Sequence, residues 1–332
     1  MKKLLARLLL IALAITSFTA CGNNDGDDDE TDLATSIRVG YMQGPTGMGM
    51  AKLIQDNGGV SGNDKYSFQA YTQTSLAFAD FKAGKVDVIC VPTNEAANYF
   101  NTEDDESTVL SINTLNTLFV LTTEGKEITS FEELAGKTVY TCQDGNSVGI
   151  LQHLMKKANI ELTISTVNPT DSSKALDAPK DLVPIIKQGT ADYIVAPEPI
   201  ISNAASDKCS ISLDLSDVWA KYYTTQITMG CIIANKSFVN KNSKLVLEFL
   251  DEYEDSINYI GNEANIASAA KYIEESGILG SAELATSALS NLKNSIVFIS
   301  GEEMKTALVN FYNAINGISI RKLPDNDFYY IK

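Results

Sequence analysis

The chain contains a single histidine, His153, and only three arginines, Arg7, Arg38 and Arg321. The shortage of histidine removes much of the usual hydrolase machinery. There is no His-Glu-x-x-His pair. A phosphate-binding P-loop and a Gly-x-Gly-x-x-Gly dinucleotide motif are also missing. His153 sits within LQHLMKK, a helical run, and reads as a helix residue rather than a catalytic base. The five cysteines, Cys21, Cys90, Cys142, Cys209 and Cys231, have no zinc-like spacing. Cys90, Cys142 and Cys231 lie in or beside apolar runs and read as buried thiols, although their spacing leaves disulfide pairing open. With 26 basic against 42 acidic residues and a formal charge of −16, a nucleic acid is excluded as partner. No cofactor is implied.

One apolar run does occur, at the start. Lys2, Lys3 and Arg7 precede Leu8–Ile15, a stretch too short to span a bilayer comfortably. Phe18-Thr19-Ala20-Cys21 follows and resembles a lipobox, with Phe18 where leucine is usual. That reading makes 1–20 a lipoprotein signal peptide and Cys21 the lipidated first residue, an ordinary cleaved leader being the alternative. Acyl chains contribute about 0.8 kcal/mol per buried methylene, so more than one gives stable membrane anchoring. Residues 21–35 are acidic and nearly free of apolar side chains, so they read as an extended tether. Asp25, Asp27 and Asp29 alternate there without the glycine and distal glutamate of a calcium loop, so no metal site is expected.

The rest of the chain carries a duplication. Lys82, Gly84, Asp87 and Pro92 in FKAGKVDVICVP recur at equal spacing as Lys187, Gly189, Asp192 and Pro197 in IKQGTADYIVAP. Upstream, Val39, Gln43 and Gly49 match Val139, Gln143 and Gly149. Hydrophobic patterning predicts strand–helix alternation in each copy: strands at 36–41, 66–71 and 86–91, then at 137–142, 163–167 and 193–196. Thr108–Thr122 reads as an extended exit from the first copy, and Thr228–Ala234 as an antiparallel return. Helices at 243–259, 263–275, 282–291 and 301–315 complete the first lobe. The expected fold is α/β, with two similar lobes, each an open, mostly parallel sheet flanked by helices, joined by a two-segment hinge. Lobe 1 takes 36–122 plus 227–332, and lobe 2 takes 123–226.

Ligands of open α/β sheets sit beyond the carboxyl ends of the strands. Applied to both copies, that rule selects Gln43, Gly44, Pro45, Thr46 and Gly47; Thr72, Gln73, Thr74 and Ser75; Thr93 and Asn94; Gln143, Asp144, Gly145, Asn146 and Ser147; and Glu198. Each loop precedes a predicted helix, whose free N–H groups favour polar or negative ligands. Simple helix capping explains the same serines, threonines and asparagines equally well one at a time. Neither Arg38 nor Arg321 is in these loops, nor is any lysine, so the usual guanidinium clamp on a carboxylate is missing. Asp144 and Glu198 suit N–H donors or positive charge. Tyr41, Tyr71, Tyr140, Tyr222 and Tyr223 lie where a ring could stack on a flat ligand, or else pack in the core. Glu95 and Glu198 occupy corresponding loops, as a carboxylate pair or as solvated first-turn residues.

VGYMQGPTG, KAGKVDVICVP, ELAGKTV and KQGTADYIVAPEP, with the lipobox and tether, resemble solute-binding lipoproteins of ABC importers. The similarity is to the nitrate/sulfonate/taurine and thiamine-pyrimidine-precursor group, with the type II periplasmic-binding fold. It implies a non-enzymatic, lipid-anchored extracytoplasmic monomer whose lobes close on a small solute (sulfonate, nitrate or pyrimidine-type) and present it to an importer permease. A pyrimidine-metabolising enzyme on the same fold and a ligand sensor without transport are the alternatives. The resemblance places the ligand on Gly44 to Gly47, Thr72 to Ser75, Thr93, Gln143 to Ser147 and Glu198.

Overall fold

The computed structural model describes residues 33–102, 106–143 and 145–331. The expected leader, Cys21, most of the acidic tether and Asp144 lie outside these residues. Among the described residues eleven strands run in chain order. The first four are β1 (Ile37–Met42), β2 (Tyr66–Tyr71), β3 (Val88–Pro92) and β4 (Ser107–Leu115). They are followed by β5 (Leu118–Thr123), β6 (Thr138–Tyr140), β7 (Thr163–Ser165) and β8 (Tyr193–Pro197). The last are β9 (Cys209–Asp214), β10 (Thr228–Asn235) and β11 (Ile296–Ser300).

They form two sheets with matching order. One runs β2-β1-β3-β10-β4-β11 and the other β7-β6-β8-β5-β9. In the first, β1 pairs parallel with β2 and β3, and β10 lies antiparallel against β3. In the second, β6 pairs parallel with β7 and β8, and β5 lies antiparallel against β8. The duplicated motif ends on equivalent strands, β3 and β8. Gly84 and Gly189 follow the preceding helices with φ of 66° and 62°, which glycine adopts without steric cost.

The sheets are mixed rather than mostly parallel. In each copy the crossing strand enters antiparallel and takes a further antiparallel neighbour, β4 on β10 and β9 on β5. A chain that leaves one sheet and returns must reverse direction at the crossing, and those strands pair where they cross. The two passages meet. Asn116 donates its N–H to the Ile227 carbonyl at 3.0 Å, and its side-chain oxygen accepts from the Ile227 N–H at 3.1 Å.

Packing follows the apolar periodicity. Helix Ser243–Ile260 buries Val246, Phe249, Leu250, Tyr253, Ile257 and Ile260 on one stripe. Together with helices Ile266–Glu275 and Ala282–Asn291 it covers one face of the first sheet. Helix Gly301–Ile315 buries Met304, Leu308, Phe311, Tyr312 and Ile315 in a core shared by strands of both sheets. Cys90, Cys142 and Cys231 are buried, and Cys209 is half-buried.

Candidate functional site

The carboxyl ends of β1, β3 and β8 open on one cavity of about 320 Å³. Gln43, Gly44, Pro45, Thr46 and Pro92 line it from the first sheet, and Gly145, Asn146, Pro197, Glu198 and Pro199 from the second. Thr114 and Thr117, on either side of the first crossing, complete its floor, and Ile278, Leu279 and Leu284 its apolar wall. Five of the eight prolines border it. Proline lacks the N–H that a strand or helix interior requires, so strand-end loops accommodate it.

The structure thus brings seven predicted residues together: Gln43, Gly44, Pro45, Thr46, Gly145, Asn146 and Glu198. Gln43 is anchored by its side-chain amide, which donates to the Gly277 carbonyl at 2.9 Å. Gly47 and Ser147 are buried just behind these residues. A side chain at position 47 would meet the Met42 carbonyl oxygen at 2.0 Å, so glycine lets the loop fold back on β1. Thr93 is buried, its hydroxyl donating to the Thr228 carbonyl at 2.7 Å. Asn94 and Gln143 line a second, more polar cavity of about 500 Å³ that shares Gly145 with the first. Thr72, Gln73, Thr74 and Ser75 line neither of these two cavities.

Asn146 stands at the N-cap of helix Ser147–Ala158 and makes no side-chain capping bond, unlike Asp214, Asn235, Asn262 and Ser281 at other helices. Gly44, Pro92 and Pro199 also stand at N-caps, but glycine and proline have no side chain able to cap. Asn146 is 2 % exposed, and both its side-chain oxygen and nitrogen lack a hydrogen-bond partner. A buried polar atom left so costs about 1–3 kcal/mol.

Glu198 is wholly buried. Its carboxyl accepts from the Ser202 N–H at 3.2 Å, the Ser202 hydroxyl at 3.1 Å and the Asn291 amide at 2.5 Å. Burial raises its pKa, and these hydrogen bonds offset part of the rise. Glu95 does not line the cavity, so among the described residues no carboxylate pair faces across it.

The tyrosines take the packing role. Tyr41 is buried, its hydroxyl donating to the Ser276 carbonyl, and Tyr71 donates to Asp80. Tyr223 stacks on Trp219 and hydrogen-bonds His153. No tyrosine borders the cavity among the described residues. The sequence reading missed Ile278, Leu279 and Leu284. They belong to the distant helical segment, and only its return to the first sheet places them here.

Residues 107–265 match the family model described as NMT1/THI5 like. No curated protein sequence matches the chain. A solved ABC transporter structure from Parabacteroides distasonis superposes with a TM-score of 0.72 at 18% identity, covering 90% of this chain and 100% of that one. The periplasmic aliphatic sulphonate binding protein SsuA of Escherichia coli gives 0.66 at 17% identity, covering 90% and 92%. The chain has the periplasmic-binding fold. The periplasmic nitrate-binding protein NrtA of Synechocystis shares it, with a TM-score of 0.57 at 11% identity over 82% of this chain and 75% of that one. Within the periplasmic-binding fold of this chain, the cavity is bordered by loops of both sheets. No helix among the described residues is long and apolar enough to cross a membrane.

Proposed function

We propose that this protein is the extracytoplasmic solute-binding component of an ABC importer. It holds a small solute (sulfonate, nitrate or pyrimidine-type) between a lobe of 36–122 plus 227–332 and a lobe of 123–226, and hands it to the importer permease. One observation carries the reading: matching strand-end loops from two matching sheets border a single cavity. A solute touching both walls binds the closed arrangement better than the open one and so shifts the population toward closure. The Asn116–Ile227 contact, where the two passages meet, is the natural hinge. Lipidation at Cys21, with the acidic tether, would hold the monomer on the outer face of the membrane.

The cavity lining favours binding over turnover. His153 packs on Trp219 and Tyr223 and does not border the cavity. No cysteine borders it among the described residues either.

Native mass spectrometry of freshly purified protein tests the reading, combined with small-angle X-ray scattering before and after removal of any bound molecule. A co-purified small molecule whose release expands the protein is the expected result. Chemical conversion of that molecule by the purified protein would instead point to an enzyme.

A further inference from the structure

We infer that the cavity selects by charge. It takes a small uncharged or cationic solute bearing an N–H donor beside an acceptor, and it rejects simple anions. The inference deepens the solute-binding reading and rests on it.

The lining contains no lysine, arginine or histidine among the described residues, and Glu198 is its single ionisable group. The scarce arginines are committed elsewhere. Arg38 is locked on Asp87 through its backbone N–H, Nε and Nη2. Arg321 is exposed and outside the lining. An anion would therefore lie beside a buried carboxyl without a formal positive charge to compensate.

Helix N-termini are the remaining attraction for an anion. Two of those at the cavity open helices of four residues, Pro45–Met48 and Ile200–Asn203, too short to sum many peptide dipoles. Thr93–Phe100 and Ser147–Ala158 are longer, and each end supplies roughly half a positive charge. Together they offset at most the one carboxyl of Glu198 and leave no net positive charge for an anion.

The polar atoms in the wall describe the solute. Glu198 accepts three hydrogen bonds, and a carboxylate offers about four acceptor positions, which leaves one for a ligand N–H. Asn146, a lining residue, carries an unpartnered donor and an unpartnered acceptor on one carboxamide, both buried in the wall. A carboxamide pairs in two-point fashion with an edge carrying an N–H next to a lone pair, as asparagine does with adenine. A sulfonate or nitrate offers acceptors only, so it satisfies the Asn146 nitrogen and leaves the Asn146 oxygen and Glu198 unmet. The proline and aliphatic remainder suits an apolar body.

The test is calorimetric titration of the full chain with four probes: 2-aminopyridine, benzamidine, ethanesulfonate and nitrate. A nitrogen probe is expected to bind the wild type at least ten-fold more tightly than either anion. Glu198→Gln should weaken the nitrogen probe about ten-fold without weakening ethanesulfonate. Asn146→Leu, which leaves no buried amide to satisfy, serves as the second variant if Glu198→Gln does not fold. It should weaken 2-aminopyridine more than benzamidine. Tighter binding of ethanesulfonate or nitrate than of both nitrogen probes overturns the charge selection and leaves the solute-binding reading standing. Absence of binding by all four, with no compaction in scattering, overturns both.

Discussion

The side-chain amide of Asn291 donates to Oε1 of Glu198 at 2.5 Å, joining the last residue of a helix packed on the first sheet to the loop that follows β8 in the second. The bond crosses from one side of the cavity to the other. Asn291→Ala should destabilise the protein by about 1–3 kcal/mol, because a buried carboxyl loses one of its donors. It should also favour the open arrangement, seen as a larger radius of gyration in small-angle scattering. An unchanged radius together with an unchanged melting curve would show that the bond neither stabilises the fold nor ties the two sides.

Glu198 also predicts a pH dependence. Burial holds its folded pKa above the ordinary carboxylate value. Between those two values the folded chain keeps a proton that the unfolded chain releases. The contribution of this group to stability is therefore fully present below the ordinary value of about 4.3 and is lost as pH rises through the folded one. Asp214, also raised by burial, changes in the same direction but remains in both proteins compared. Relative to the wild type, Glu198→Gln should gain stability as pH rises from about 4 toward neutrality. Urea melts at stepped pH values check this, and a difference that stays flat or runs the other way would contradict the buried, proton-holding carboxyl.

The duplication shows what could be read from the residues and what could not. Two copies of Lys-x-Gly-x-x-Asp-x-x-x-x-Pro placed β3 and β8, the helices before them and the cavity-facing prolines, because glycine stops and continuous apolar runs are local signals. β9 and β11 escaped notice. Both have partly exposed faces, and both are edge strands whose pairing depends on partners far along the chain. The Ile278–Leu284 wall escaped for a similar reason. The sequence assigns the neighbouring helices to the first lobe, but nothing near those residues encodes that they reach the cavity. Thr72 to Ser75 lie at a strand end like the other predicted loops, yet line neither cavity described. β2 is an edge strand, and its end is displaced from the point where the two sheets face one another.

The two aspartates of the repeat illustrate the same limit. Asp87 and Asp192 are equivalent in sequence. Asp87 is buried and accepts from the Arg38 backbone N–H at 2.8 Å and Nε at 2.9 Å. Asp192 is exposed and meets Lys126 at 3.4 Å. Asp87→Ala should cost about 1–3 kcal/mol by stranding the Arg38 donors, whereas Asp192→Ala should cost less than about 1 kcal/mol, as exposed pairs do. Chemical denaturation of the two variants decides the point. Equal losses would mean that the repeat, rather than burial, sets the energetics.

Gly230 fixes the cavity floor. A Cβ there would stand 2.4 Å from Thr46 Cγ2 and 2.5 Å from Asn113 Oδ1, separations that force something to move. The loop it would displace is held by Asn113, which donates to the Thr46 carbonyl at 3.1 Å, and by Thr114, which donates to the Pro45 carbonyl at 3.3 Å. Overpacking of this kind costs about 1–3 kcal/mol. Gly230→Ala should therefore lower the melting temperature and weaken binding at the cavity. The second effect follows because Pro45 and Thr46 are lining residues. Adding Thr46→Ser to Gly230→Ala removes the clashing methyl and should restore part of both losses. Restoration of stability without any recovery of binding would place the Thr46 loop outside the ligand's reach.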